Sequence, residues 1–252
     1  MRHLIVENRR EGFFSNFNLI AGSLYSMYEK NIKEFNVVWE NPLYQNTKYN
    51  MFDRYFYKQE IYSDFDLIHT AHDLSVFMFH FVTPIETFRK LNMVMNHYDC
   101  YNNEFFIEIK NKSIERPSSL GVHVRRTDHS RHGELLPDEY YFSKIDENLN
   151  KDKYENIFLA TDDFNTIIKF KNRYGNRLFY NENIVRSNGS IGIHYSNQID
   201  KEKLTSDVMM DALSLTKCKK ILITASNVAG YVLMTNPHIE YDQIDKHINF
   251  IS

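Results

Sequence analysis

Cysteine is scarce in this sequence, and its scarcity limits the class of protein. Two cysteines, Cys100 and Cys218, occur in 252 residues, which is too few for the disulfide framework of a small secreted domain. No tract of lysine or arginine occurs either, and the formal net charge is −3. Nucleic acids and other polyanions are therefore not predicted as partners, and any phosphate recognition must depend on a few local residues.

Long hydrophobic runs are also missing. No segment approaches the run of about 18 apolar residues that marks a membrane-spanning helix, so no transmembrane segment is predicted. The beginning of the chain holds only the short apolar run Leu4–Val6 before charges return, which is typical of a β-strand and not of a signal peptide. These absences together predict a cytoplasmic protein in a reducing compartment.

Aromatic residues, by contrast, are abundant, with 19 Phe and 17 Tyr against one Trp. Such a surplus suits a sugar-binding cleft, where the C–H face of a sugar lies on an aromatic plane, but core packing is the favoured interpretation. The histidine pairs His69 and His72, and His129 and His132, have no third ligand at a convincing spacing. No metal site is therefore predicted.

A polar, proline-containing segment at residues 111–119 separates two sequence patterns. We predict an N-terminal α/β half over residues 1–116 and a C-terminal half over residues 117–252. The pattern of the first half is irregular, and residues 53–83 favour no element. The elements predicted there are strands at 4–6 and 37–39, a helix at 19–28 with Asn18 as its N-cap, and a helix from Pro84.

The second half alternates regularly between strand and helix patterns. This alternation predicts an α/β fold, with a parallel sheet and helices on both faces. Because ligands of such sheets bind beyond the carboxyl ends of the strands, functional side chains are expected at those ends. The predicted strands are 120–124, 157–160, 178–180 and 221–224, and the predicted helices are 138–149, 163–173, 203–217 and 227–234.

The first strand of the second half runs directly into Arg125 and Arg126. Alternation places Arg125 on the same face as His123 and places Arg126 on the opposite face. A buried guanidinium needs an anion, and the planar fork of arginine binds the oxygens of a diphosphate bidentately. An internal salt bridge to Asp128 or Asp162 is the alternative.

The next strand ends in Asp162 and Asp163. Either carboxylate can simply cap the following helix. Alternatively, the pair orients the arginines or binds the hydroxyl groups of a ribose. Adjacent carboxylates do not have the Asp-x-Asp spacing of metal-dependent transferases, so this motif gives no support for a metal.

Asp211 interrupts an apolar stripe on the predicted helix 203–217. At about 100° per residue, it falls beside Leu204 and Leu215 on the helix surface. A carboxylate in such a stripe must be paired. A guanine base offers two adjacent N–H donors that match the two carboxylate oxygens, and the alternative partner is an arginine or a backbone cap.

The segment Thr224–Asn227 lies where a predicted strand ends and a helix begins. Ser226 and the first free N–H groups of that helix, at Asn227, suit an anion. The alternative is that Ser226 acts as a plain N-cap. Four element ends thus suit a nucleoside diphosphate, and their agreement predicts a nucleotide site.

Five motifs in register resemble the α1,6-fucosyltransferases, the group of the rhizobial nodulation and animal core-fucosylation enzymes. The resemblance covers roughly residues 120–236, and a looser match at Gly12–Asn16 resembles the loop with which related fucosyltransferases open their first domain. The motifs are His123–Asp128, Phe158–Asp163, Gly192–His194, Val208–Ser214 and Thr224–Ser226.

The resemblance implies a GT-B-like fold, in which two Rossmann-type halves hold GDP-fucose in the cleft between them. It implies an inverting transfer of fucose to a hydroxyl group of a glycan acceptor, with no essential metal and no other cofactor. The stem and the additional domain of the animal relatives have no counterpart in this sequence, so their linkage position is not carried over.

The resemblance also implies roles for individual residues. Arg125 is the arginine most needed at the diphosphate, with support from Arg126. Glu134 is the candidate general base if one residue is inserted, and Asp128, His129 and His132 are the alternatives. The other residues expected at the nucleotide sugar are His123 and Asp211 at the nucleoside, Ser226 at phosphate, Asp162 and Asp163 in ordering the pocket, and Asp128, His194, Asn227 and Asn16.

Two other functions fit the same motifs. One is a glycosyltransferase of the same fold that uses another nucleotide-linked sugar, since the sugar pocket is not readable from the sequence. The other is a non-catalytic protein that binds a nucleotide sugar and has lost its catalytic base.

Overall fold

Two parallel β-sheets, one in each predicted half, organise the chain. The computed structural model describes residues 2–6, 12–31, 35–39, 44, 51–56, 66–70, 85–127, 135–151, 154–189, 191–196 and 198–245. The first sheet has the strand order β2-β1-β3. The elements of this half are β1 (Arg2–Val6), α1 (Phe13–Glu29), β2 (Phe35–Trp39), α2 (Met51–Tyr55), β3 (Asp66–Thr70), α3 (Ile85–His97) and α4 (Glu104–Lys112).

The second sheet has five parallel strands in the order β6-β5-β4-β7-β8. The chain therefore builds outward from β4 in one direction and then returns to its other side, which is the order of doubly wound nucleotide-binding sheets. The elements are β4 (Ser119–Val124), α5 (Asp138–Lys151), β5 (Asn156–Thr161), α6 (Phe164–Tyr174), β6 (Leu178–Phe179), α7 (Lys201–Leu215), β7 (Lys220–Ile223), α8 (Asn227–Thr235) and β8 (Glu240–Gln243).

Polar side chains cap four of these helices at their first turn. Each cap accepts a hydrogen bond from a backbone N–H group that has no partner within the helix. Asp163 accepts from Thr166 at 2.8 Å and Ser226 accepts from Ala229 at 3.0 Å. The other two caps are Asn103 on α4 and Asp200 on α7.

Two hydrophobic clusters lie on the two faces of the second sheet; the side chains of β5 alternate between them, whereas the apolar side chains of β4 belong to one. Val122 and Leu159 pack with α5 and α6 in one cluster, while Phe158 and Ala160 belong to the other. The second cluster contains α7 and α8 and continues into the helices of the N-terminal half. Helices α7 and α8 are thus covered by the sheet on one side and by the N-terminal helices on the other.

Aromatic side chains of α1 carry much of the contact between the halves. Phe14 stacks on Tyr231 of α8 with ring centroids 4.2 Å apart, and Phe17 meets the same ring edge-on at 5.2 Å. The aromatic surplus of the sequence therefore packs, at least here, in the core. The domain boundary at residue 116 stays a prediction, since this shared cluster crosses it.

The predicted elements of the second half are confirmed, with bounds that agree to within two residues. The prediction that Asn18 caps a helix is wrong, because α1 begins at Phe13 and Gly12 occupies the N-cap position. Asn18 lies inside α1 and donates instead to the backbone carbonyl of Asn227 at 3.0 Å. Elements α2, β3, α4 and β8 were not predicted from the sequence.

Among the residues the structure describes, no helix combines the length and the apolarity needed to cross a membrane.

Candidate functional site

The carboxyl ends of β4 and β7 are adjacent at the point where the strand order of the second sheet reverses. Such switch points open a crevice in which doubly wound sheets bind their ligands. Arg125 and Arg126 follow β4, and Ser226 follows β7 at the first turn of α8. The pairing of β4 and β7 thus brings two of the predicted strand ends side by side.

Asp162, which directly follows β5, bonds to the three residues that follow β4. Its carboxylate pairs with the guanidinium of Arg125 at 2.6 Å, accepts from the backbone N–H of Arg126 at 2.8 Å and accepts from the hydroxyl of Thr127. One quarter of the Arg125 side chain is exposed, so a ligand can reach it. The structure therefore shows the alternative relation, an internal salt bridge to Asp162, and the role of Arg125 at a diphosphate stays a prediction.

Arg126 lies on the opposite face, as the alternation of the strand predicts. Its guanidinium pairs with Asp138 at 2.5 Å, donates to the carbonyl of Leu136 and lies 5.0 Å from the ring centre of Tyr141. Asp138 also pairs with Lys169 at 2.6 Å. These contacts tie the end of β4 to the beginning of α5, and the side chain of Arg126 is largely buried.

His123 and Ser226 meet across the switch point. The Nδ1 atom of His123 lies 3.4 Å from Oγ of Ser226, and the His123 side chain is buried. Asp245, just beyond β8, accepts from the backbone N–H of Ala225 at 2.8 Å and so fixes the turn before α8. Ser226 is an N-cap, as the plain alternative predicts, and it also faces the histidine of β4.

Asp211 is buried on α7 and paired with polar groups of the loop that follows β6. Oδ1 accepts from Nδ2 of Asn181 at 2.7 Å, and Oδ2 lies 3.5 Å from Nη2 of Arg186. Burial raises the pKa of Asp211 to about 7, while the Arg186 guanidinium and the Asn181 amide lower it, and Asp207 raises it further. The predicted need for a partner is confirmed, and the partners are an arginine and an amide.

Sequence analysis named neither Asn181 nor Arg186. Both lie in a polar loop without periodicity after the predicted strand 178–180, Asn181 at the beginning of the loop and Arg186 five residues further on. A lone arginine in such a loop usually indicates an exposed, solvated side chain. Asp138 and Asp245 were also not predicted as partners of the strand ends. The folded path of the chain brings each carboxylate to the site, and neither residue belongs to a sequence motif.

The remaining predicted residues occupy different surroundings. Asp163 caps α6, and its carboxylate also accepts from the hydroxyl of Thr166 at 2.8 Å. His194 is buried in the short turn Ile193–Tyr195. Asn16 is fully buried in α1 and donates to the carbonyl of Gly12 at 3.1 Å. Asp128, Glu134, His129 and His132 lie outside the described residues.

A groove of about 450 Å³ opens at the other edge of the second sheet, where β7 and β8 begin. Its lining includes Arg89, Lys220, His238 and Tyr241. Lys220 is paired with Asp242 at 2.8 Å. This groove contains none of the predicted site residues and lies at the amino ends of the strands, so it gives no support to the nucleotide site.

Within the described part of the chain, no group of three His, Cys, Asp or Glu residues is placed to hold a metal ion.

Comparison with known proteins finds likeness in structure and not in sequence. No family model and no curated protein matches the chain. A crystal structure of NodZ alpha-1,6-fucosyltransferase soaked with GDP-fucose aligns over 93% of this chain and 93% of its own, with a TM-score of 0.50 and 14% identity. The structure of fucosyltransferase NodZ from Bradyrhizobium aligns over 92% and 93%, with a TM-score of 0.49 and 14% identity. The α/β fold of this chain is therefore similar to that of the NodZ structure soaked with GDP-fucose.

Proposed function

We propose that the protein is a glycosyltransferase that moves fucose from GDP-fucose to a hydroxyl group of a glycan acceptor. The observation that carries the proposal is the placement of Arg125 at the switch point, where Asp162 orients it at 2.6 Å and the side chain remains accessible. This placement occurs in a fold that the chain shares with a GDP-fucose-soaked fucosyltransferase structure. The GT-B-like arrangement, with the donor between the halves, is part of the proposal.

Arg125 acts on the diphosphate in this proposal. The bond from fucose to GDP breaks through an oxocarbenium-like state while negative charge grows on the leaving phosphate. A fixed guanidinium lowers the barrier most when it stabilises charge that appears only in the transition state. Asp162 holds the guanidinium in place beforehand, so little reorganisation is needed. Ser226 and the N-terminal end of α8 supply further donors at the same edge of the sheet.

Proton removal from the acceptor is assigned to Glu134, with Asp128, His129 and His132 as alternatives. A positioned base contributes typically about 10²- to 10⁴-fold to the rate. Direct attack by the activated hydroxyl inverts the anomeric carbon. The reaction written in this way needs no metal ion, because Arg125 and helix-end N–H groups carry the charge of the leaving group.

Recognition of the nucleoside is assigned to His123 and Asp211, both buried on the side of the sheet that faces α7 and α8. Asp211 has used one acceptor position on each oxygen, and a carboxylate offers about four. It therefore retains capacity for the two N–H donors of a guanine edge. Asp163, His194, Asn227 and Asn16 remain proposed contacts or supports of the donor, and a cytoplasmic setting remains a prediction.

Replacement of Arg125 tests the proposal. Arg125→Ala is expected to abolish transfer from GDP-fucose in an acceptor screen while circular dichroism and the melting temperature show an intact fold. Arg173→Ala is the matched control, because it removes an exposed arginine paired with Asp146 at 2.5 Å on the outer surface of α6. Near-normal turnover in Arg125→Ala contradicts the mechanism.

Calorimetry with GDP, UDP and GDP-fucose tests the donor. Preference for GDP over UDP is expected, because a carboxylate such as Asp211 matches the two N–H donors of guanine. Preference for UDP overturns the assignment of Asp211. Binding of GDP without hydrolysis or transfer on any acceptor indicates the non-catalytic alternative, a protein that binds the nucleotide sugar only.

A further inference from the structure

Arg186 is a buried arginine that joins three parts of the molecule. Its side chain is 3% exposed. Nε donates to the carbonyl of Thr161 at 3.1 Å, at the end of β5, and Nη1 donates to the carbonyls of Asn181 at 2.8 Å and Ile184 at 3.1 Å. Nη2 faces Asp211 of α7 at 3.5 Å. The guanidinium therefore connects a strand end, the loop after β6 and the helix that carries Asp211.

The loop over residues 181–187 is fixed to α7 by further bonds. The backbone N–H of Val185 donates to Asp207 at 3.0 Å, and Nζ of Lys203 donates to the carbonyl of Asn183 at 3.0 Å. Nδ2 of Asn181 donates to Asp211 at 2.7 Å. Because both oxygens of Asp211 face this loop, the position of the loop decides where the carboxylate points.

The same loop is bonded to the strand end that orients Arg125. The backbone N–H of Ser187 donates to the carbonyl of Asp162 at 2.9 Å, and the N–H of Phe164 donates to the carbonyl of Ser187 at 2.8 Å. The carboxylate of Asp162 in turn holds Arg125 at 2.6 Å. A continuous set of bonds thus runs from Asp211 to Arg125, with Arg186 and Ser187 between them.

We propose that Arg186 is a positioning residue for the donor, holding the Asp211 carboxylate in place and charged so that it accepts the N–H donors of a guanine base. This inference rests on the proposed function, in which Asp211 contacts the nucleoside. Arg186 does not touch the nucleotide in this proposal, because its donors are directed at the three carbonyls and at Asp211.

The charges around Asp211 support this role. Among the described residues, Arg186 is the cation that acts on Asp211, and Asp207 on the same helix repels it. Asp207 is paired with Lys203. Burial raises the pKa of Asp211 to about 7 although Arg186 lowers it, so removing the guanidinium raises this pKa further. A protonated carboxyl group loses part of its acceptor capacity and cannot bind both N–H groups of the base.

The test is calorimetry of GDP binding at pH 6, 7 and 8, with the protein as a full chain. Wild type is expected to bind GDP more tightly as the pH rises through about 7, because Asp211 ionises there. Arg186→Met is expected to bind at least about 10-fold more weakly at pH 7, as is typical when a hydrogen-bonded charge loses its support. The affinity of Arg186→Met for GDP is expected to recover only at a higher pH than the affinity of wild type. Arg173→Met, on the exposed surface, is expected to match wild type.

Arg186→Lys keeps the charge and loses the planar fork. Since one ammonium cannot bond three carbonyls and a carboxylate together, it is expected to keep the pH midpoint of wild type with weaker binding. This variant decides the question if Arg186→Met does not fold. Folded Arg186 variants that bind GDP with wild-type affinity and an unchanged pH profile overturn the inference and leave the proposed function intact. Absence of GDP binding by wild type at every pH overturns both.

Discussion

The adjacent arginines Arg125 and Arg126 have different surroundings in this protein. The pleat of β4 sends Arg125 toward Asp162 and the switch point, and sends Arg126 toward α5. Arg125 remains a quarter exposed, whereas the side chains of Arg126 and Asp138 are 13% and 15% exposed. We infer that Arg125 serves the ligand and that Arg126 mainly fixes the end of β4.

Replacement of Arg126 is therefore expected to affect stability more than chemistry. Arg126→Met leaves Asp138 largely buried with Lys169 as its ion-pair partner among the described residues, and we expect a loss of about 2 kcal/mol in the free energy of unfolding. Turnover per folded molecule is expected to fall far less than in Arg125→Ala. Urea unfolding and transfer assays on the two variants measure the difference. Equal loss of turnover in both, with unchanged unfolding midpoints, shows that Arg126 acts on the donor.

Residues that follow a strand end could be located from the sequence. Arg125, Asp162 and Ser226 lie at the carboxyl edge of the second sheet, as the alternation of strands and helices predicts, and their roles toward a ligand stay predictions. Arg186 could not be found in the same way. Its partners lie 2, 5, 25 and 25 residues away along the chain, and only the folded path of the loop after β6 brings them together.

At the scale of elements, β4 depends on a glycine that allows close packing against β7 and α7. A Cβ atom at Gly121 would lie 2.9 Å from Cγ2 of Ile221, 3.0 Å from Sγ of Cys218 and 3.1 Å from Cδ2 of Leu215. All three neighbours are buried and belong to one cluster. The strand that carries His123 and Arg125 therefore sits where it does because residue 121 has no side chain.

Gly121→Ala is expected to lower the free energy of unfolding by about 1–3 kcal/mol, the usual cost of overpacking a core. GDP affinity should fall as well, since a shift of β4 moves the side chains that follow it. Gly189→Ala is the control, because among the described residues, apart from its chain neighbours, no atom lies within 4 Å of a Cβ built there. Urea unfolding measures the effect, and equal midpoints for the two variants would show that the strand has room to move.

How well the strands and helices could be predicted depended on how regularly strand and helix patterns alternate in each half of the sequence. Strands β4, β5 and β7 are buried on both faces and helices separate them along the chain, so the hydrophobic pattern marked their bounds. Helix α1 was predicted to begin too late because its first turn, Phe13 and Phe14, is buried like the rest of the helix. A helix that is apolar on most sides shows no polar face from which its start can be read. Strand β8 alternates between exposed and half-buried polar residues, which made it indistinguishable from a loop.

One of the two hydrophobic clusters contains residues of both predicted halves. Helix α8 contacts α1 through Phe14 and Tyr231, and contacts α3 where Nδ2 of Asn92 donates to the carbonyl of Met234 at 2.8 Å. Arg54 of α2 pairs with Glu202 of α7 at 2.9 Å. A change in the protonation of a buried group in either half is therefore expected to change the free energy of unfolding of both halves together.

Stability is expected to depend on pH through two carboxyl groups, the half-buried Asp53 on α2 and the buried Asp211 on α7. Burial raises the pKa of each from 3.8 to about 7. The folded state thus holds protons that the unfolded state releases, and the resulting stability is present below pH 3.8 and is lost as the pH rises to about 7.

Asp211→Asn removes one of these titrations, because the amide stays neutral and its oxygen can still accept from Asn181. Between pH 5 and pH 8, the free energy of unfolding is expected to fall by about 2–3 kcal/mol less in this variant than in wild type. Urea unfolding at four pH values measures the slope, and Asp146→Asn, at an exposed ion pair on α5, serves as the control. Parallel pH profiles for wild type and Asp211→Asn would mean that Asp211 stays ionised in the folded protein throughout this range. In that case Arg186 and Asn181 together outweigh the cost of burying its charge, and the pH dependence of donor binding must come from another group.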